Sequence, residues 1–407
     1  MPENEIPPAM RVDIYSFILT FRHRYKLKIY FKEESMKKKI LNFSAFILVF
    51  TFFTSLLVCE SSALSAHSAI VIEASTGTVV FEHNADEKLP EASTTKIMTA
   101  LLALENCPYD VSFTVSEAAA NVEGSQIGLL EGERIKLSDL LYMLMLRSGN
   151  DAAHVIAEGV AGSVDKFVEM MNEKAEELGC TSTHFSNPHG LPDDEHFTTA
   201  KNLAIIAAEA YRNDDFRKIV STHRAKLNYF GLIIENSNKL LDKYEYANGM
   251  KTGFTKAAGR CLVSSAEKDG VSLICVTLNA PDDWNDHITL LDECFERVEK
   301  TVIYNTGEYK TTVPSLGGTS PVQIINTQPI YGLKINGSDI PFSLTENLPV
   351  SIFAPIDAGK TVGRLISCFD NKTVSSVPLA VRRTVLLNSY ELSFLERFLL
   401  NFSNLWL

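Results

Sequence analysis

The chain has 407 residues, 45% hydrophobic and 22% charged, with a formal net charge of −12 at pH 7. At roughly 150 residues per domain this allows two or three domains and a substantial core, and it excludes a disordered, collagenous or coiled-coil protein. Residues 1–66 carry a net +3 and the remainder −15. So acidic a body lacks nonspecific affinity for phosphate backbones, and no nucleic-acid partner is expected.

The first feature in chain order is a leader over residues 1–66. Met36-Lys37-Lys38-Lys39 precedes an apolar run over 40–58 and the small residues Ser61-Ser62-Ala63-Leu64-Ser65-Ala66. This is the basic, apolar and small-residue order of a signal peptide, with Met36 reading as the true start. The apolar run also approaches the minimum for a spanning helix, so an uncleaved anchor is the alternative. Export follows from both. Leu56-Leu57-Val58-Cys59 is a poor lipidation box, because Val58 stands where a small residue is wanted. The six later cysteines, 107, 180, 261, 275, 294 and 368, include no CxxC pair. Their density is too low for a disulfide-built scaffold, and buried thiols fit better than disulfides, which the even count still permits. No cluster has metal-ligand spacing, and neither metal nor organic cofactor is expected.

Residues 68–73 and 78–82 are β-rich and separated by Ala74-Ser75-Thr76-Gly77, which predicts a hairpin. From Ser93 to about 105 the apolar spacing is helical, and a helix-rich stretch runs from 136 to about 178. Residues 251–255, 261–266 and 271–278 are strand-like, with Asp269-Gly270 as the last turn. An α+β domain over 67–300, an antiparallel sheet flanked by helices, is expected. Short β-prone runs broken by Gly, Pro and Asn then predict a small all-β domain over 301–385. In 388–407 the large apolar residues Phe394, Leu395, Phe398, Leu399, Phe402, Leu405 and Trp406 fall within about 140° at helical spacing. About 16 helical residues span about 24 Å, short of a roughly 30 Å hydrocarbon core. A helix lying in the membrane surface is expected, with packing against the β domain as the alternative.

Three motifs follow one another: Ser93-Thr94-Thr95-Lys96, Ser148-Gly149-Asn150 and Lys251-Thr252-Gly253. Singly they read equally as an N-cap, a loop and a solvated strand. Together, at a helix start, a helix-loop junction and a strand before a hairpin, they describe a nucleophilic site. Ser93 and Lys96, at i and i+3, share a helix face, so the amine reaches the hydroxyl. Lys96 serves as a base only when neutral, and burial beside Lys251 would lower its pKa. Ser93 at a helix N-terminus sets backbone N–H groups beside a developing oxyanion. Ser148 is suited to relay a proton to a leaving amine, and Asn150 to hold a lysine and a substrate amide. Lys251 and Thr252 offer a cation and a hydroxyl to a carboxylate, while Gly253 admits substrate backbone to the strand edge. His184 and His189 invite a Ser–His reading, but no acidic partner is indicated and a lysine base is present. Asp193, Asp194 and Glu195 read as a solvated turn.

The motif set resembles the penicillin-recognising serine enzymes, and most nearly the exported D-alanyl-D-alanine carboxypeptidases. The residues carrying this are 91–99 (Glu-Ala-Ser-Thr-Thr-Lys-Ile-Met-Thr), Ser148-Gly149-Asn150-Asp151-Ala152, the 185–191 loop and Asn248-Gly249-Met250-Lys251-Thr252-Gly253-Phe254-Thr255. The resemblance implies a β-lactamase/transpeptidase-like fold with Ser93 as nucleophile, Lys96 as base, Ser148 as proton relay and Lys251 in substrate binding. By analogy the Phe254 amide is the second oxyanion donor. Peptidoglycan stem peptides ending in D-Ala-D-Ala are the implied substrate and β-lactams the inhibitors. A class A-type β-lactamase shares the motifs but needs a deacylating Glu, and no Glu-x-x-x-Asn occurs between 151 and 200. A catalytically silent wall-binding protein on the same fold is opposed by intact Ser93 and Lys96.

Overall fold

Strand Ser68–Glu73 (β1) is buried at every position, which its unbroken apolar run requires of a strand covered on both faces. It pairs antiparallel with Val79–His83 (β2) on one side. On the other side lies Val271–Leu278 (β5), itself paired to Gly259–Lys268 (β4) and that to Ala247–Thr255 (β3), giving the order β2-β1-β5-β4-β3. Alternate residues separate the two faces. Ile70, Ile72, Val263, Ile274 and Val276 join a helical core, whereas Val71, Leu262, Leu273 and Cys275 pack with Leu290 and Leu291 of helix Asp283–Phe295.

The computed structural model describes residues 64–370 and 372–388, with Thr20, 22–26, Lys32 and Met36 of the leader. Met1–Ala63 and Leu64–Leu407 are separate compact units. The leader's Lys37–Lys39 run, its apolar stretch and Cys59, and the C-terminal segment after Asn388, lie outside the described residues. Within the second unit Ser65 is tied to helix Asp283–Phe295, its N–H and hydroxyl donating to Asp286 at 2.9 and 2.6 Å.

Helix Lys96–Asn106 (α1) is buried continuously from Lys96 to Ala103, as expected of a helix surrounded on all sides. Around it stand Leu137–Arg147 (α2), Asn150–Ala161 (α3), Val164–Glu177 (α4) and Ala200–Tyr211 (α5). Several starts are capped by side chains: Ser163 accepts from the Lys166 N–H and Thr199 from the Asn202 N–H. Strand Val298–Tyr304 runs through the expected junction at 300/301 and pairs with Ile330–Ile335. A five-stranded antiparallel sheet follows, with a third core of Val322, Ile324, Leu365 and Leu379. None of Cys107, Cys180, Cys261, Cys275, Cys294 and Cys368 is in a disulfide, and four of them are buried. Among the described residues no helix is long and apolar enough to cross a membrane.

Candidate active site

The helix expected from Ser93 begins as an α-helix only at Lys96; Ala92–Thr95 is a single 3-10 turn. Ala92 there has φ +51°, a left-handed conformation that departs from the helix and presents Ser93 at its mouth. Ser93 is the half-open position in a turn whose other residues are buried.

Lys96 is fully buried, with Nζ 3.0 Å from Ser93 Oγ, 2.7 Å from Asn150 Oδ1 and 2.6 Å from the His189 carbonyl. Burial, then the proximity of Lys251, holds its pKa well below the ordinary lysine range against the opposing pull of Asp151. A neutral amine has two N–H donors and one lone pair. Asn150 Oδ1 and the His189 carbonyl take the donors, which leaves the lone pair to accept the Ser93 hydroxyl proton. Lys251 is also buried; desolvation lowers its pKa to about 7, and Nζ donates to the Thr252 carbonyl at 2.9 Å.

Asn150 is buried too, and both ends of its amide are engaged within the protein, Nδ2 donating to the Glu123 carbonyl at 2.6 Å. It holds the base in place, and the role expected for it toward a substrate amide falls to one remaining N–H. Ser148 is half-buried at the end of α2 with φ +63°, and among the described residues its hydroxyl is bonded to neither Lys96 nor Lys251. The edge strand β3 brings Lys251 and Gly253 against the nucleophile turn. A Cβ at Gly253 would lie 2.9 Å from the Glu91 carbonyl and 3.2 Å from Ser93 N, so only glycine permits this approach. The next residue, Phe254, is 66% exposed at the strand edge.

His189 contributes its carbonyl and not its ring, whose pKa burial lowers to about 3, with Lys96 adding to the shift. His184 is exposed, its Nδ1 on the Glu195 carbonyl at 2.6 Å, so neither histidine forms a Ser–His pair. Asp193 and Glu195 are on the surface, with Asp193 Oδ1 accepting from Ser186 Oγ at 3.0 Å. Residue-type reasoning missed the carbonyls of Glu123 and His189, the Glu91–His196 pair and the loop-anchoring carboxylate of Asp151. Among the described residues, no group of three or more His, Cys, Asp or Glu is placed to hold a metal ion.

The family model of the S11 peptidases, D-alanyl-D-alanine carboxypeptidases, matches residues 57–282. The chain belongs to that family. It is a serine peptidase. It is 34% identical over 350 residues to the D-alanyl-D-alanine carboxypeptidase DacF of Bacillus subtilis (strain 168), covering 82% of this chain and 89% of the relative. It is 32% identical over 369 residues to DacC of Escherichia coli (strain K12), covering 84% and 90%. The crystal structure of penicillin binding protein 5 from Haemophilus influenzae aligns with a TM-score of 0.56 at 26% identity, over 79% of this chain and 98% of that one. The mixed α+β body of this carboxypeptidase-family chain thus has the fold of the penicillin-binding DD-peptidases.

Proposed function

We propose that the protein removes the terminal D-alanine from peptidoglycan stem peptides through an acyl-enzyme on Ser93. The observation that carries this reading is the Lys96 amine, 3.0 Å from Ser93 Oγ and held on its other donors by Asn150 and the His189 carbonyl. Neutral Lys96 takes the hydroxyl proton as Ser93 Oγ attacks the penultimate D-Ala carbonyl. The oxyanion is received by the Ser93 and Phe254 N–H groups. The C–N bond breaks, the departing D-alanine amine gains its proton through Ser148, and water then hydrolyses the ester with Lys96 again as base. Protonated Lys251 and the Thr252 hydroxyl hold the substrate's terminal carboxylate. β-Lactams acylate the same hydroxyl and stay.

The substrate lies outside the cytoplasm, which agrees with the leader read in residues 36–66. The apolar arc of residues 388–407 supports a helix lying on the outer face of the cytoplasmic membrane. Incubating the exported protein with a fluorescent penicillin and a D-Ala-D-Ala peptide is the test. Labelling with D-Ala release is expected; rapid antibiotic turnover indicates a β-lactamase, and neither reaction a silent wall-binding protein. Ser93→Ala should abolish both labelling and release.

A further inference from the structure

Behind the nucleophile turn lies a buried polar cluster that touches neither Ser93 nor Lys96. His196 is 4% exposed, and its Nδ1 accepts the Ser186 N–H at 3.0 Å. The proton therefore resides on Nε2. From there it faces Thr95 Oγ1 at 2.8 Å and Glu91 Oε1 at 3.3 Å. Thr95 Oγ1 in turn lies 2.9 Å from the Ala92 carbonyl and 3.0 Å from Glu91 Oε1. Glu91 is fully buried, and its other oxygen has no hydrogen-bond partner. The Phe185 ring meets the imidazole edge-on, with centroids 5.7 Å apart.

His196 therefore bridges two segments. One is the nucleophile turn, where Ala92 is held at φ +51°, a conformation that an L-residue keeps only when its surroundings impose it. The other is the 185–191 loop, whose His189 carbonyl accepts from Lys96 Nζ. The segments are pressed together: a Cβ at Gly190 would sit 1.9 Å from the Ala92 carbonyl oxygen. Through Thr95 and Glu91 His196 is joined to the turn that carries Ser93, and through the Ser186 N–H to the loop whose carbonyl meets Lys96 Nζ.

We infer that His196, anchored by Glu91 and Thr95, is a positioning residue for acyl transfer, a neutral crosspiece that sets the Ser93–Lys96 geometry from behind. The inference rests on the acyl-enzyme reading above. The experiment measures the rate of acylation by a fluorescent penicillin, and kcat and KM on a D-Ala-D-Ala peptide, for the wild type, His196→Ala, Glu91→Ala, Glu91→Gln and Thr95→Val. A misplacement of about 1 Å costs about 100-fold in rate. His196→Ala and Glu91→Ala should lose about 10- to 100-fold in acylation and kcat, with KM within about twofold. Glu91→Gln retains the accepting Oε1 and should recover most of the Glu91→Ala loss. Thr95→Val, which preserves the side-chain volume, should fall in the same direction, and it carries the test if His196→Ala does not fold. Folded variants that acylate at the wild-type rate, or that change only KM, overturn the inference. A wild type that neither labels nor releases D-Ala overturns the acyl-enzyme reading instead.

Discussion

Lys96 and Lys251 are buried amines asked to hold opposite charge states at one pH. Lys96 acts as base only when neutral, so kcat/KM falls as pH drops through its lowered pKa. Lys251 must be protonated to bind a carboxylate, and with its pKa near 7 kcat/KM also falls as pH rises above about 7. The free enzyme should give a bell-shaped profile. In kcat the alkaline limb should move to higher pH, because a bound carboxylate restores the lysine's proton affinity. Profiles of both parameters check this, and an alkaline limb at the same pH in each would contradict the carboxylate role. Lys96→Arg, which cannot lose its proton, should lower acylation at least about 100-fold.

At the scale of elements, Asp151 connects the first turn of α3 to the loop that precedes α2. Its Oδ2 accepts the N–H groups of Ile127 and Gly128 at 2.8 and 2.9 Å, and the same loop supplies the Glu123 carbonyl that fixes Asn150. Asp151→Ala leaves these donors unsatisfied. A loss of about 1–3 kcal/mol of stability, together with reduced activity, is expected from thermal melts and D-Ala release. Gly190→Ala places a methyl group into the Ala92 carbonyl and should abolish labelling by penicillin even in protein that remains folded. The antiparallel strands and the three motifs were legible in the sequence, since apolar runs, turn residues and reactive side chains are matters of residue type. The carbonyls of His189 and Glu123 were not, because a backbone oxygen carries no residue identity. The Glu91–His196 pair escaped because its members lie 105 positions apart and only the fold joins them. Ser93 was expected on an α-helix, but the left-handed Ala92 made that stretch a 3-10 turn.

The two lysines also affect the stability of the whole molecule. Their folded-state pKa values lie below the unfolded value near 10.4, so between the folded and unfolded values the unfolded chain binds more protons. Stability should therefore rise with pH in that window. For Lys251 the window opens at about 7, and the melting temperature should increase from pH 7 to 9 more in the wild type than in Lys251→Met. Equal slopes would contradict the burial of a titrating amine. At the other end of the chain, removing residues 388–407 should release the exported protein from liposomes, and equal partitioning of the full and shortened forms would refute surface anchoring. The measurement that most directly tests the central claim is peptide mapping by mass spectrometry of the penicillin-treated protein. The account predicts a single adduct on the peptide containing Ser93, with D-Ala release lost in step with its formation; an adduct on any other residue, or release that continues in fully acylated protein, would contradict it.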